Sequence, residues 1–488
     1  MRVPVVLLLL TQILSGSVVA DESRPPNIVL LFVDDMGYAD MGTQGAHQYG
    51  YRTPHLDQMA AEGTRFTNFL VAQPVCTASR AALMSGCYSN RVGMAGALNH
   101  TSRSGIHLDE MLIPELLRKR GYATACYGKW HLGTLNELFP TRHGFDEWFG
   151  IPYSNDNGPL HPSVPGMPSL PLYDNDTVVE LDPDQALFTR RFTDRAVKFI
   201  ESNTDRPFFL YVPHVMPHVP IFASDRFQGK SGGGLWGDVM EELDAGIGEV
   251  LNCINRNGLS ENTLVIFASD NGPYSSYGEH AGHAEPLRGG KLTCFEGGVR
   301  VPCIMRWPGR IPAGRVSDAL VSSIDLLPTI AAVAGTSLPE RRIDGVNVWP
   351  MISGDTEDSP RETFYYFSGR ELHAVRYKNW KLHFPHEYLV VAGEPGKNGK
   401  PSNWENMKPL SITQSGIRGI ASRHGYRVES MGMALYDLSD DIAESRDVSS
   451  EHPDIVEKLK DLADRVRTDL GDALTDTTGE NVRPRIEL

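Results

Sequence analysis

The chain reads as an α/β protein, a mostly parallel sheet with helices on both faces, followed by a smaller α+β domain with an antiparallel sheet. Three observations predict this. Apolar runs with β-branched residues at 27–33 (apolar from Ile28), 208–212 and 264–268 suit strands buried on both faces. Helical patterns lie between such runs, and strand–helix alternation argues for parallel pairing. Composition then shifts near residue 350, where a polar, proline-bounded stretch, 353–360, reads as a linker.

The first twenty residues have the form of an export signal: Arg2, an apolar run over 5–10, and small residues at 17–20. The mature chain then begins near Asp21. After the 27–33 strand, Thr53-Pro54 opens a helix with Leu56, Met59 and Ala60 on one face and Gly63 at its end. A second helix is expected over 109–120, stopping at Gly121, with a strand over 122–127. A long helix carries an apolar stripe at Val239, Leu243, Ile247, Val250 and Ile254. Beyond the linker, 363–367 and 372–384 read as antiparallel strands and 393–432 as a long loop. A last helix places Ile455, Leu459, Leu462, Val466 and Leu470 on one face. The expected organisation is a signal at 1–20, a catalytic domain at 21–352, a C-terminal α+β subdomain at 361–475 and a tail at 476–488.

With 488 residues, 41% hydrophobic and 22% charged, the chain has the composition of a globular enzyme. A net charge of −15 argues against a nucleic-acid partner. No run approaches the roughly 18 apolar residues of a membrane span, so no stable membrane insertion is expected. Six cysteines, at 76, 87, 126, 253, 294 and 303, leave their pairing undetermined, and no C-x-x-C spacing points to zinc. Sequons occur at Asn99 and Asn175.

Polar clusters fall where such sheets keep their sites, outside the carboxyl ends of strands. Asp34-Asp35 follows the first strand, and adjacent carboxylates repel unless a cation or proton intervenes. Asp270-Asn271 follows the strand at 264–268. Together these oxygens suit a hard cation such as Ca²⁺ or Mg²⁺, although Asp-Asn-Gly is also turn chemistry. Lys129 and His131 are two apart, which on extended backbone points both to one side, for anion neutralisation and proton transfer. A solvated lysine and a packed histidine fit the same residues. His214 and His218 are kept off a common helix face by Pro217 and Pro220; His218 suits an anion, and a structural role suits His214. Arg288 to Lys291, with Gly289 and Gly290 between, lets backbone approach an anion, or forms a basic surface turn. The segment Val75-Cys76-Thr77-Ala78-Ser79-Arg80 places a cysteine at the mouth of a helix-like run.

Taken in order, Leu31 to Gly37, Cys76-Thr77-Ala78-Ser79-Arg80, Gly128-Lys129-Trp130-His131, Asp270-Asn271-Gly272 and Glu296-Gly297-Gly298-Val299-Arg300 resemble the motifs of the sulfatases of the alkaline-phosphatase-like superfamily. The likeness runs from about Pro26 to 435–438, and Gly150 to Ser154 resembles the branch holding arylsulfatase A and N-acetylgalactosamine-6-sulfatase. The resemblance implies an alkaline-phosphatase-like mixed sheet. It implies that Cys76 is oxidised by a formylglycine-generating maturation enzyme to 3-oxoalanine (formylglycine), whose hydrate attacks the sulfate ester. It further implies one Ca²⁺ at Asp34, Asp35, Asp270, Asn271 and the modified Cys76. Arg80 and Lys129 would stabilise the nucleophile, His131 would hold or deprotonate its second hydroxyl, and Lys129, Ser154, His218 and Lys291 would contact the sulfate. Ala78 stands where the common motif has proline. The partners implied are a sulfated small molecule or saccharide and the maturation enzyme, in an exported setting (periplasmic, secreted or lysosomal). A phosphatase, phosphodiesterase or phosphonate hydrolase of the same superfamily is the alternative activity, and a non-catalytic sugar-sulfate binder with a Cys76 thiol the non-enzymatic one. The loops at 159–184 and 393–432 are expected to shape specificity.

Overall fold

A computed structural model of the chain describes residues 24–414 and 416–488; the expected signal at 1–20 lies outside them. The apolar runs become strands β1 (Asn27–Val33), β7 (Phe208–Pro213) and β8 (Thr263–Ser269) of a ten-stranded sheet. The others are β2 (Thr64–Phe66), β3 (Ala123–Lys129), β4 (Glu147–Ile151), β5 (Pro171–Asp174), β6 (Thr177–Leu181), β9 (Cys303–Arg306) and β10 (Arg315–Ser317). Their order is β10-β2-β9-β8-β1-β7-β3-β4-β5-β6. The central five, β8-β1-β7-β3-β4, are all parallel, and antiparallel strands flank them. Every residue of β1, β7 and β8 is buried, as a strand covered on both faces requires.

Helices cover the two faces as separate apolar cores. One face takes α1 (Pro54–Glu62), α4 (Phe188–Ser202) and α5 (Gly234–Arg256); the other takes α2 (Cys76–Ser85) and α3 (Ile113–Arg118). In α5 the stripe Val239, Leu243, Ile247, Val250 and Ile254 is buried. The helix expected over 109–120 is shorter. Leu112 is extended, Pro114 sits in the first turn, and the Glu115 carboxylate accepts from the Leu112 N–H at 2.8 Å, so winding starts only there.

The C-terminal part carries a four-stranded antiparallel sheet, β11 (Thr363–Ser368), β12 (Glu371–Tyr377), β13 (Trp380–His383) and β16 (Ala434–Asp437), packed by α7 (Pro453–Leu470). Three expectations need correction. The run at 372–384 is a hairpin, broken where Lys378 turns left-handed at φ 53°. The stretch at 393–432 is not one loop: it holds α6 (Ile417–His424) and β15 (Tyr426–Met431), which pairs with β14 (His386–Val391). Likewise 159–184 contains the β5–β6 hairpin, which extends the main sheet. Near the end of the chain, Ile486–Glu487 pairs with Ser104–Gly105 of the first part.

Candidate active site

Parallel, in-register strands bring their carboxyl ends to one level. Val33 pairs with Ser269, so Asp34-Asp35 and Asp270-Asn271 emerge side by side. Lys129 ends β3, Ser154 follows β4 and His218 follows β7, all on the same edge. Asp35 takes a left-handed turn at φ 66° and its N–H donates to Asp270 Oδ1 at 3.2 Å, closing the two loops on each other.

Three cations face three carboxylates, all buried. Arg80 projects from α2 and donates to Asp270 Oδ2 through Nε (3.1 Å) and Nη2 (2.8 Å), and through Nη2 to Asp34 Oδ2 (3.0 Å). Lys129 Nζ lies 2.5 Å from the same Asp34 oxygen, and Lys291 Nζ 2.6 Å from Asp35 Oδ1. Burial would raise the Asp34 carboxyl, but Lys129 and Arg80 hold it well below the usual range. At Asp35 burial wins over Lys291, and with the neighbouring carboxylates it pushes the group up to about 7.

Three oxygens in this cluster, Asp34 Oδ1, Asp35 Oδ2 and Asn271 Oδ1, are buried and accept no hydrogen bond from the described residues. The Asn271 amide N–H₂ is committed to Asp35 Oδ1 (2.7 Å) and the Gly272 carbonyl (2.9 Å), which leaves its oxygen free. Buried acceptors without donors are costly. An all-oxygen set is what a hard divalent cation takes, and it would also quiet the repulsion felt at Asp35. The residues therefore fit the expected ion. One nitrogen stands close by: ligand atoms of Asp34, Asp35 and His218 lie within 4.8 Å of one another.

Cys76 is the first residue of α2 and is 3% exposed. Burial pushes its thiol up despite Lys129 and Lys291, so at neutral pH it is a protonated thiol and a weak nucleophile. Leu98 sets its position against His131: the Leu98 N–H donates to Thr77 Oγ1 at 3.1 Å, and its carbonyl accepts from His131 Nε2 at 2.8 Å. That bond puts the ring proton on Nε2 and leaves Nδ1 as an acceptor, buried and without a partner among the described residues. Burial, then Lys129, hold His131 well below its ordinary value, so the ring is neutral. His131 is not on extended backbone as expected; its φ is 61°.

His218 Nδ1 donates to the Val219 carbonyl at 2.6 Å, and its Nε2 lies 3.3 Å from Ser154 Oγ and 3.7 Å from Asp35 Oδ2. Burial and Lys291 push it down to about 3. His214 is buried on the same strand exit, and burial alone lowers it to about 4. Of the glycine-rich basic loop only Lys291 reaches this cluster. Arg288 stacks on Phe295 (3.9 Å) and donates to the Glu444 carbonyl. The glycines there are steric: a Cβ at Gly298 would stand 2.0 Å from the Thr293 carbonyl oxygen, and one at Gly272, in the turn after β8, 1.8 Å from the Gly297 carbonyl oxygen of this loop.

Among the groups that sequence reasoning missed, two are instructive. Asp156, two residues past Ser154, is buried beside His218; its place after β4 was a usable signal. Lys381 on β13 is fully buried between Glu296 Oε1 (3.0 Å) and Glu444 Oε1 (2.8 Å), tying the C-terminal sheet to the 296–300 segment. Nothing in an alternating strand marks such a lysine.

The family model described as Sulfatase matches residues 26–336, and that for the C-terminal region of aryl-sulfatase matches 359–486. Arylsulfatase A of Bos taurus is 42% identical over 385 residues, covering 74% of this chain and 75% of its own length. N-acetylgalactosamine-6-sulfatase of Canis lupus familiaris is 39% identical over 396 residues, covering 77% and 75%. Among solved structures, Ps i-CgsB in complex with k-i-k-neocarrahexaose superposes with a TM-score of 0.73 at 27% identity, covering 91% of this chain and 93% of that one.

Proposed function

This chain belongs to the sulfatase family and hydrolyses sulfate esters, and we propose that its substrate is a sulfated carbohydrate, cleaved with formylglycine made from Cys76 and one Ca²⁺. The observation that carries the site assignment is the set of three unpaired buried oxygens beside a buried, protonated Cys76. Asp34, Asp35, Asp270 and Asn271 would hold the ion, together with the modified Cys76. Formylglycine supplies, as its hydrate, a nucleophilic oxygen and a second hydroxyl, and Ca²⁺ supplies positive charge beside them.

The chain's own residues then have separable tasks. Arg80 fixes Asp34 and Asp270 and neutralises them, so the ligands need no reorganisation during reaction. Lys129 and Lys291 present fixed ammonium groups to an anion arriving at the strand ends. His131 Nδ1, with its Nε2–H bound to Leu98, is a proton acceptor with one available tautomer. Ser154 Oγ–H and His218 line the sulfate end, His218 gaining its second proton only when an anion offsets the cost of burial. The near-complete burial of all these groups strengthens each electrostatic contact.

A carbohydrate substrate is supported by the saccharide-bound relative and by the name of the N-acetylgalactosamine-6-sulfatase relative. Residues 1–20 are taken as an export signal; no helix among the described residues is long and apolar enough to cross a membrane. The test is sulfate release by protein co-produced with a formylglycine-generating enzyme, offered sulfated monosaccharides, 4-nitrophenyl sulfate, 4-nitrophenyl phosphate and a phosphonate monoester, with and without a Ca²⁺ chelator. Calcium-dependent release from sulfated sugars is the expected result. Faster turnover of the phosphate or phosphonate ester, or two zinc ions per chain, would overturn it.

A further inference from the structure

A second polar cluster stands beside the sulfate end, where the two segments expected to shape specificity meet. Asp156 lies in the turn after β4, His161 in the 159–184 segment and His424 at the end of α6; none is more than 8% exposed. The rings of His161 and His424 are 6.0 Å apart, and Lys400 Nζ donates to the Pro162 carbonyl at 2.8 Å, tying the two segments together. Burial alone would raise the Asp156 carboxyl, but nearby His218, His161, His424 and Lys129 hold it well below the usual range. Tyr274 joins the cluster to the sulfate end: its ring is 5.0 Å from His424, and Lys291 Nζ stands 4.7 Å over its face.

His161 has one tautomer open to it. Its Nδ1 accepts from the Ser163 and Val164 N–H groups at 3.1 and 3.0 Å, so the ring proton sits on Nε2. That Nε2–H is buried with no acceptor among the described residues. Asp156, for its part, accepts a side-chain bond from the adjacent Asn157 amide, at 2.8 Å. A carboxylate that accepts and an imidazole that donates are the two halves of what a hydroxyl requires. An aryl ring offers neither partner and would leave the His161 Nε2–H buried and unpaired, and the Asp156 carboxylate with no more than its Asn157 bond among the described residues.

We infer that Asp156 and His161, backed by His424, form the subsite for a sugar hydroxyl next to the sulfate-bearing carbon, Asp156 accepting from its O–H and His161 Nε2–H donating to its oxygen. This rests on the carbohydrate reading above and adds the residues that read the sugar.

The test compares kcat/KM of wild type, Asp156→Asn and His161→Asn on 4-nitrophenyl sulfate and on the best substrate from a panel of sulfated monosaccharides, with that sugar's monodeoxy analogues. Asparagine at 161 keeps an oxygen for the Ser163 and Val164 N–H groups, so the turn survives, while the Nε2–H is lost; thermal melts of both variants check folding. Each variant should lose ten- to a hundredfold more on the sugar than on the aryl sulfate. One deoxy analogue should cost wild type a similar factor and cost the variants little more. Equal losses on both substrates, or no loss on the sugar, would overturn the subsite and leave the carbohydrate reading standing. If wild type turns over the aryl sulfate and no sugar of the panel, the carbohydrate reading falls, and the subsite with it.

Discussion

Replacing Arg80 by lysine keeps the charge and removes the fork. The guanidinium makes three bonds to carboxylate oxygens, at 2.8, 3.0 and 3.1 Å, and a fourth to the Lys129 carbonyl at 3.3 Å. One ammonium cannot reach Asp34, Asp270 and that carbonyl from one position. Two charge-assisted bonds are therefore lost in a fully buried site, where solvent does not soften the loss. At about 1.5–3 kcal/mol each, Arg80→Lys should lower stability by about 3–6 kcal/mol. With Asp34 and Asp270 no longer held, Ca²⁺ affinity should fall by roughly 10–100-fold, the usual effect of removing a group that orients metal ligands. Urea unfolding measures the first quantity, and the rise in melting temperature with added Ca²⁺ measures the second. A variant matching wild type in both would refute the reading that Arg80 orients the ion's ligands.

Lys381→Met should cost about 3–5 kcal/mol, because it leaves Glu296 and Glu444 as buried charges without their shared cation. Adding Glu444→Gln should restore part of this in urea melts at pH 8, and no recovery would argue against the charge account. His143 is held at about 4 by burial, against 6.5 when free. Between those values the unfolded chain takes up a proton that the native state refuses, so stability is full above pH 6.5 and falls as pH drops toward 4. At about 1.36 kcal/mol per unit the loss reaches about 2 kcal/mol at pH 5, so the gain from His143→Phe over wild type should grow by that amount from pH 8 to pH 5; a gain independent of pH would count against it. Asp35 works in the other direction. Its carboxyl is raised to about 7 from 3.8 in the absence of an ion, so ion-free protein should lose stability as pH rises from about 4 through 7. Chelation should therefore lower the melting temperature more at pH 8 than at pH 5.5, and an equal drop at both would exclude ligand repulsion as the cause.

The strands that carry the site were legible because burial on both faces writes an unbroken apolar run, and the 27–33 strand keeps its bounds in the structure. The strand-end rule pointed to Asp34, Lys129, His218 and Asp270, which lie at or just past the ends of parallel strands, whereas Ser154 and the roles of the set came from the family resemblance. What failed were features set by distant contacts. The 393–432 stretch is rich in glycine and polar residues, yet α6 packs on β15, and β15 pairs with β14, contacts that no local pattern encodes. His424 was invisible for the same reason. The left-handed turn at His131 was masked by an extended-looking neighbourhood, and Lys381 by an ordinary strand alternation whose buried face holds a charge only because Glu296 and Glu444 come from elsewhere.

The central claim is that Cys76 acts only after oxidation to an aldehyde. The direct measurement takes protein batches matured to different extents, quantifies aldehyde at Cys76 by mass spectrometry of the peptide and by aldehyde labelling, and plots sulfate release against occupancy at saturating Ca²⁺. The account predicts a straight line through the origin. Full activity in a batch whose Cys76 is entirely thiol would contradict it.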